Sequence, residues 1–198
     1  MLIDWSIKPV GDDAKIAENV RMTRDSERSS RPTLALERSP FFDDLVMTIH
    51  DFHFAIWKTS IASQETPIYR SSNTFTSHNT CGAFSPTRPG VIFITKTDGI
   101  DIWDFLDQSN KPSITISFAT APITYFRFQT LKPQKGKKVK QYMAYGDALE
   151  GNLFLYDVPP NLANAQEDEK RKIQDFWDNE ICKCDFVRER RVQMKEAF

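Results

Sequence analysis

The chain has 198 residues, 40% of them apolar and 12% aromatic, and its 26 basic and 27 acidic side chains leave a formal charge of −1. That length and apolar content allow one well-buried core and exclude wholesale disorder, while the interspersed charges exclude a broad basic field for nucleic acid or anionic membrane. No run of about 18 apolar residues occurs, residues 1–10 lack the pattern of a signal peptide, and three cysteines do not make a disulfide framework, so an intracellular protein with reduced thiols and protein partners is expected.

In chain order, Leu2-Ile3-Asp4-Trp5 reads as a strand end and the polar stretch 11–31 as a mobile connector, giving a first segment over 1–33. Next come two stretches that match at one offset. Ser39-Pro40 recurs as Ser85-Pro86 and Ile56-Trp57 as Ile102-Trp103, 46 positions later in both cases (85 − 39 and 103 − 57). This spacing is close to the roughly 40–45 residues of one four-stranded blade of a WD-type propeller.

Short β-rich runs separated by turn residues fill each repeat. In the first, 34–37, 45–49, 54–58 and 68–71 take the four strand positions. In the second, 91–95 is a buried-strand run, Asp98-Gly99 signals a tight hairpin, 100–104 alternates as a returning strand, and 114–118 is the outer strand. A weaker third copy runs through 123–128, 142–145 and 153–157, with Tyr156 where the others carry Trp57 and Trp103. Within it, 131–140 carries five lysines and reads as an exposed loop, either an interaction surface or a solubility device.

After residue 160 the period changes from 2 to 3.6. Ile173, Phe176, Trp177, Ile181, Cys184 and Val187 share one helical face, and Glu167/Arg171 and Asp168/Lys172 are spaced as i,i+4 ion pairs on the other. The spacing predicts an amphipathic helix over about 165–197 within a last segment, 161–198. Its stripe at Ile173, Phe176, Trp177 and Ile181 has two readings, packing on the chain's own blades or docking a partner helix. The fold class read from the sequence is therefore all-β: about three WD-repeat propeller blades over 34–160, followed by a C-terminal amphipathic α-helix. Three blades and a fraction do not close a ring of the four to eight that propellers use, so a fragment of a longer propeller is expected.

No phosphate-cradling glycine loop, nucleophile elbow or metal-ligand spacing stands out, and the seven glycines do not cluster. No enzymatic activity, cofactor or metal is expected. His50 and His53 should point to opposite strand faces, and Cys182 and Cys184 to different sides of a helix, so neither pair should converge on an ion. Asp98, Asp104 and Asp147 lie near turns, where carboxylates brace hairpins by accepting from backbone amides. Trp57 and Trp103 occupy matched strand positions and read as residues that fix blade-to-blade packing. His78, Thr95, Asp98 and Trp103 are placed roughly where WD repeats link their loops by side-chain hydrogen bonds.

The runs Leu36-Glu37-Arg38-Ser39-Pro40-Phe41-Phe42-Asp43-Asp44-Leu45 and Phe54-Ala55-Ile56-Trp57-Lys58 resemble axonemal dynein intermediate chains. The likeness continues through Arg88-Pro89-Gly90-Val91, Thr97-Asp98-Gly99 and Asp101-Ile102-Trp103-Asp104-Phe105-Leu106-Asp107, then Gly146-Asp147, Gly151 and the run to Pro159. Among the branches, the inner-arm type with two heavy chains is the most similar. The resemblance implies a seven-bladed, non-catalytic propeller that clasps dynein heavy-chain tails. It also implies company with other intermediate and light chains, indirect attachment to the microtubule doublet, and residence in a ciliary or flagellar axoneme. Light-chain binding belongs to an N-terminal extension that this sequence does not contain. His50-Asp51-Phe52-His53 departs from the family's glycine-containing turn and leaves that hairpin's register open. The rival reading in the same fold is a generic WD-repeat adaptor in intraflagellar transport or cytoplasmic dynein; a propeller-borne hydrolase would need converging polar groups that the sequence does not display.

Overall fold

The computed structural model describes residues 3–5, 20–22, 31–61, 66–72, 77–117, 122–130 and 140–196. β1 (Ile3–Trp5) pairs antiparallel with β2 (Val20–Met22), Ile3 opposite Met22. The stretch read as a connector thus contains a strand, marked in the sequence only by the apolar-polar-apolar triplet Val20-Arg21-Met22; the basic loop over 131–139 lies outside the described residues.

Two four-stranded sheets follow. Blade 1 consists of β3 (Thr33–Arg38), β4 (Leu45–His50), β5 (Phe54–Lys58) and β6 (Tyr69–Arg70). Blade 2 consists of β7 (Asn79–Phe84), β8 (Val91–Lys96), β9 (Gly99–Asp104) and β10 (Ile114–Ser117). Blade 3 has three described strands, β11 (Ile123–Thr130), β12 (Gln141–Asp147) and β13 (Leu153–Asp157). Each sheet is an antiparallel meander in chain order. The first strands β3, β7 and β11 stand side by side, β7 touching both others, so they form the inner rim of an arc of blades.

The 51–52 turn that lacks glycine still closes a regular hairpin: Ile49 faces Phe54, Leu45 faces Lys58, and His50 N–H donates to the His53 carbonyl at 2.8 Å. β7 has no counterpart in the sequence reading, because Asn79-Thr80-Cys81-Gly82 offers no apolar alternation. Gly82 explains why: a Cβ there would stand 2.6 Å from the Phe93 carbonyl oxygen and 2.9 Å from Ile49 Cδ1. Strand closeness, not side-chain burial, selects that residue.

Period-two alternation divides the apolar residues of blade 2 between two cores. Ile92, Ile94 and Trp103 face blade 1, where they meet Leu45, Met47, Ile49, Phe54 and Ile56. Val91, Phe93, Ile100 and Ile102 face blade 3, where they meet Ile123, Phe126, Met143 and Tyr145. Both cores are built of buried apolar side chains, and a Leu or Ile buried in them contributes on the order of 1.5–3 kcal/mol.

Past blade 3 the chain forms α1 (Pro160–Ala163) and then α2 (Glu169–Glu196). The helix starts later than 165 because Asp168 has φ 58°, a left-handed conformation that an α-helix does not admit. Glu167 and Asp168 therefore precede the helix and do not form helical pairs with Arg171 and Lys172; Lys172 Nζ instead donates to the Glu167 carbonyl at 3.2 Å.

Candidate functional site

The described residues offer surfaces rather than a catalytic cleft, and the side chains singled out in the sequence sort onto blade faces, hairpin turns and the crossing helix. Trp57, near the end of β5, donates its indole N–H to Thr48 Oγ1 at 3.0 Å. Thr48 Oγ1 also meets His50 Nε2 at 3.3 Å, and His50 Nδ1 meets the Pro32 carbonyl at 3.2 Å. A carbonyl only accepts, so this network places the proton on Nδ1 and leaves Nε2 to accept from the threonine hydroxyl. A tryptophan-threonine-histidine chain thus ties blade 1 to the segment entering it.

Blade 2 does not repeat that chain. The position 46 residues after Thr48 is Ile94, which packs in the core, so Trp103 lacks the counterpart of that threonine and packs edge-on to Phe54 at 5.0 Å. The set His78, Thr95, Asp98 and Trp103 does not assemble either. The ring of His78 lies against Phe52 at 4.7 Å, Thr95 Oγ1 accepts from Cys81 N–H at 3.0 Å, and Asp98 accepts from Ser77 Oγ. The charged braces of blade 2 are different ones: Asp101 pairs with Lys96 and accepts from Thr115 Oγ1 at 2.8 Å. In blade 3, Asp147 Oδ1 accepts from the backbone N–H groups of Glu150 and Gly151 at 2.9 and 2.8 Å, holding the turn to β13, where Gly151 takes φ 71°. Tyr156 stacks on Tyr145 at 5.8 Å, facing blade 2 as Trp103 faces blade 1.

His50 and His53 do not point apart. The turn after β4 folds them onto one side with ring centroids 4.5 Å apart and planes 15° apart. Parallel rings at that distance cannot direct two in-plane lone pairs at one ion, so the stack is a packing element. Burial holds both imidazoles below their usual range, His53 at about 4, with the Arg70 charge acting in the same direction on each. Burial likewise pushes the Cys81 and Cys184 thiols up, away from thiolate reactivity.

The helix face carries the largest departure. Ile173 and Trp177 are buried in the core shared by blades 1 and 2, with Trp177 4.9 Å from Phe105, and Phe176 and Ile181 are partly buried against the same core. The stripe offered for partner docking is therefore covered by the chain's own blades. Lys58 Nζ meets Asp178 at 3.1 Å and Cys184 Sγ lies 3.6 Å from the Ile68 carbonyl, fixing the helix along blade 1. Val187, assigned to the same face, is exposed, because the contacts end near Cys184.

At the start of α2, a buried ionic cluster absent from the sequence reading locks the helix to blade 2. Arg88 Nε donates to both carboxylate oxygens of Glu169 at 3.1 and 3.0 Å, its second amino group pairs with Asp104 at 2.8 Å, and Nη1 donates to the Asn161 carbonyl at 2.9 Å. Glu169 Oε1 also accepts from Gly90 N–H at 3.3 Å. Arg88 and Glu169 are each 2% exposed, and the two carboxylates on one guanidinium, with the hydrogen bonds of its Nε and Nη1, offset the cost of that burial. The repeated Ser-Pro marks the turn that carries Arg88 but not its pairing with Glu169: Ser85 Oγ accepts from Arg88 N–H at 3.2 Å, just as Ser39 Oγ accepts from Phe42 N–H at 3.3 Å in blade 1.

Residues 3–158 match the family described as "Dynein axonemal intermediate chain 3 WD40 domain". Dynein axonemal intermediate chain 3 of Macaca fascicularis is 31% identical over 157 residues, covering 79% of this chain and 17% of the relative. Dynein axonemal intermediate chain 2 of Homo sapiens is 29% identical over 168 residues, covering 83% of this chain and 26% of the relative. The crystal structure of Saccharomyces cerevisiae Sqt1 is similar at a TM-score of 0.48 and 11% identity, covering 77% of this chain and 34% of that one. The chain spans about a sixth of the length of the intermediate chain 3 relatives it matches. With three consecutive blade-like sheets and a WD40-domain match across most of its length, this chain belongs to the axonemal dynein intermediate chain family.

Proposed function

We propose that this chain is a non-catalytic part of an inner-arm, two-headed axonemal dynein intermediate chain, which scaffolds heavy-chain tails and supports ciliary or flagellar motility. The match of residues 3–158 to the intermediate chain 3 WD40 domain carries this reading. Its partners are then dynein heavy chains with other intermediate and light chains, the microtubule doublet is reached through them, and its place is the axonemal cytoskeleton. A stack of blades suits this work, since its rigid edges and loops hold large partners without site chemistry.

In that assembly, the free face of blade 3 receives the next blade of a closed ring. Leu155 occupies the position in β13 that Ile102 holds in β9 and Ile56 in β5; Ile56 and Ile102 are buried, whereas Leu155 is 62% exposed. The test is a tagged pull-down from flagellated cells with mass spectrometry. Recovery of dynein heavy and light chains is the expected result; recovery of other adaptors without dynein overturns the assignment, as does retention of the protein on axonemes stripped of inner arms.

A further inference from the structure

The hairpins β4–β5, β8–β9 and β12–β13 pair in one register, so the three blades can be compared row by row. On the face turned to the following blade, blade 1 presents Met47 beside Ile56 and Ile49 beside Phe54, and blade 2 presents Phe93 beside Ile102 and Thr95 beside Ile100. All of these side chains are at most 2% exposed. In blade 3 the same rows read Ala144 beside Leu155 and Gly146 beside Leu153, with the leucines 62% and 74% exposed. Its middle strand has lost its bulk.

Nothing local asks for glycine at 146. The strand irregularity opposite it, between Ile123 and Tyr125, recurs at Thr33/Ala35 opposite Ile49 and at Asn79/Cys81 opposite Thr95, where residues with a Cβ serve. The φ of Gly146 is not positive, and a Cβ there would meet the Asn152 carbonyl oxygen at 3.9 Å, against 2.6 Å to the Phe93 carbonyl at Gly82. Glycine inside a strand weakens it and, where no bulge requires it, marks close approach by another group. Arg127, opposite Ala144 on β11, is held by Glu37 and the Tyr125 hydroxyl.

We infer that Ala144 and Gly146 floor a socket, walled by Tyr125, Leu153 and Leu155, for a large apolar side chain of a further blade in the same ring. The inference rests on the ring reading above and specifies its contact. The occupant follows from continuity with two interfaces in this chain: the corresponding faces of blades 1 and 2 are each covered by the next sheet. Those sheets bring aromatic rings with them, Trp103 at 5.0 Å from Phe54 and Phe126 at 6.0 Å from Phe93. Since blade cores pack without voids, the side chain that covers Ala144 fills the volume that Phe93 fills in blade 2.

The experiment uses the full chain as recovered from flagellated cells, with hydroxyl-radical footprinting at Leu155 compared with the chain purified alone. Covering takes Leu155 from 62% exposure towards the 2% of Ile102, so its modification should slow at least about tenfold in the recovered particle. Two variants restore the bulk of the other blades, Ala144→Phe and Gly146→Ile. Both should leave the melting temperature of the purified chain unchanged and erase the protection in the particle, because a filled socket excludes the incoming side chain. A photoreactive phenylalanine analogue in place of Tyr125 should capture a peptide of a further WD-type blade. Protection kept by both variants removes the socket and leaves the ring reading standing. Leu155 equally reactive in the particle and alone removes the covering blade and the socket with it, whether or not dynein subunits are recovered. Capture of a second copy of this chain, or of a protein without such blades, assigns the face to another occupant and overturns the inference.

Discussion

Blades 2 and 3 carry the same kind of strand in the same place, and one is sealed where the other is open. Ile100 and Ile102 of β9 are 1% and 2% exposed; Leu153 and Leu155, which hold the corresponding positions in β13, are 74% and 62% exposed. Trp103 is buried between blades, while Tyr156 is partly open to solvent. The residue types do not differ enough to cause this. What differs is the neighbour: blade 2 has a sheet on each face, and blade 3 has one on a single face among the described residues. Apolar identity in a repeat therefore records the surroundings of a blade in the assembled ring, and exposure records which neighbours are at hand.

The sharpest way to break this comparison is to truncate the matched aromatics. Trp103→Ala should cost about 3–5 kcal/mol in a denaturant titration, and Tyr156→Ala about 1 kcal/mol or less, because only the first leaves a sealed cavity. Equal costs would mean that the two faces are equally packed. Arg88→Ala should match the larger loss, about 3–5 kcal/mol, since it leaves the buried Glu169 and Asp104 carboxylates without their cation.

Acid should separate the blades next. The three histidines, His50, His53 and His78, all lie where blades 1 and 2 meet, and blade 3 has none. The folded pKa of His53 is about 4 against about 6.5 unfolded, and that of His50 is also lowered. A depressed imidazole pKa means the unfolded chain binds the proton first, so the stability contribution is full above pH 6.5 and declines as pH falls from 6.5 towards 4. The loss from His53 should approach about 3 kcal/mol, and hydrogen exchange at low pH should open β4 and β5 before β12. A His53→Gln variant should flatten this pH dependence.

Smaller effects sharpen the contrast further. Thr48→Val removes the acceptor of Trp57 and the donor to His50 and should cost about 1–3 kcal/mol, whereas Ile94, its counterpart in blade 2, has no such bond to lose. Leu155→Asp should change the stability of this chain by no more than about 0.5 kcal/mol. The same substitution within a complete ring should be severe, and a mild effect there would remove β13 from the interface with a following blade.

Much of this architecture was legible in advance. The 46-residue offset located the blades, and strands rich in Val, Ile and Phe fell where alternation put them. β7 escaped because Gly82 is chosen for close strand approach, which leaves no hydrophobic signature. The histidine stack escaped because strand periodicity does not apply across the turn at 51–52. For α2, the pattern found the apolar face but not its partner: nothing in a 3.6-residue period says whether Trp177 meets its own blades or another protein. Arg88 and Glu169 lie 81 residues apart, a distance at which one sequence gives no sign of pairing.

The Arg88–Glu169 clasp also orders events during synthesis. Glu169, Ile173 and Trp177 emerge from the ribosome after both blades they cover, so the groove between blades 1 and 2 stays wet while blade 3 is being made. The nascent blades must wait unsealed, within reach of chaperones and of each other's copies on neighbouring ribosomes. A helix made after blade 3 acts as a closing seam for two blades made before it, and a ribosome that stalls before residue 169 releases those blades with the seam open.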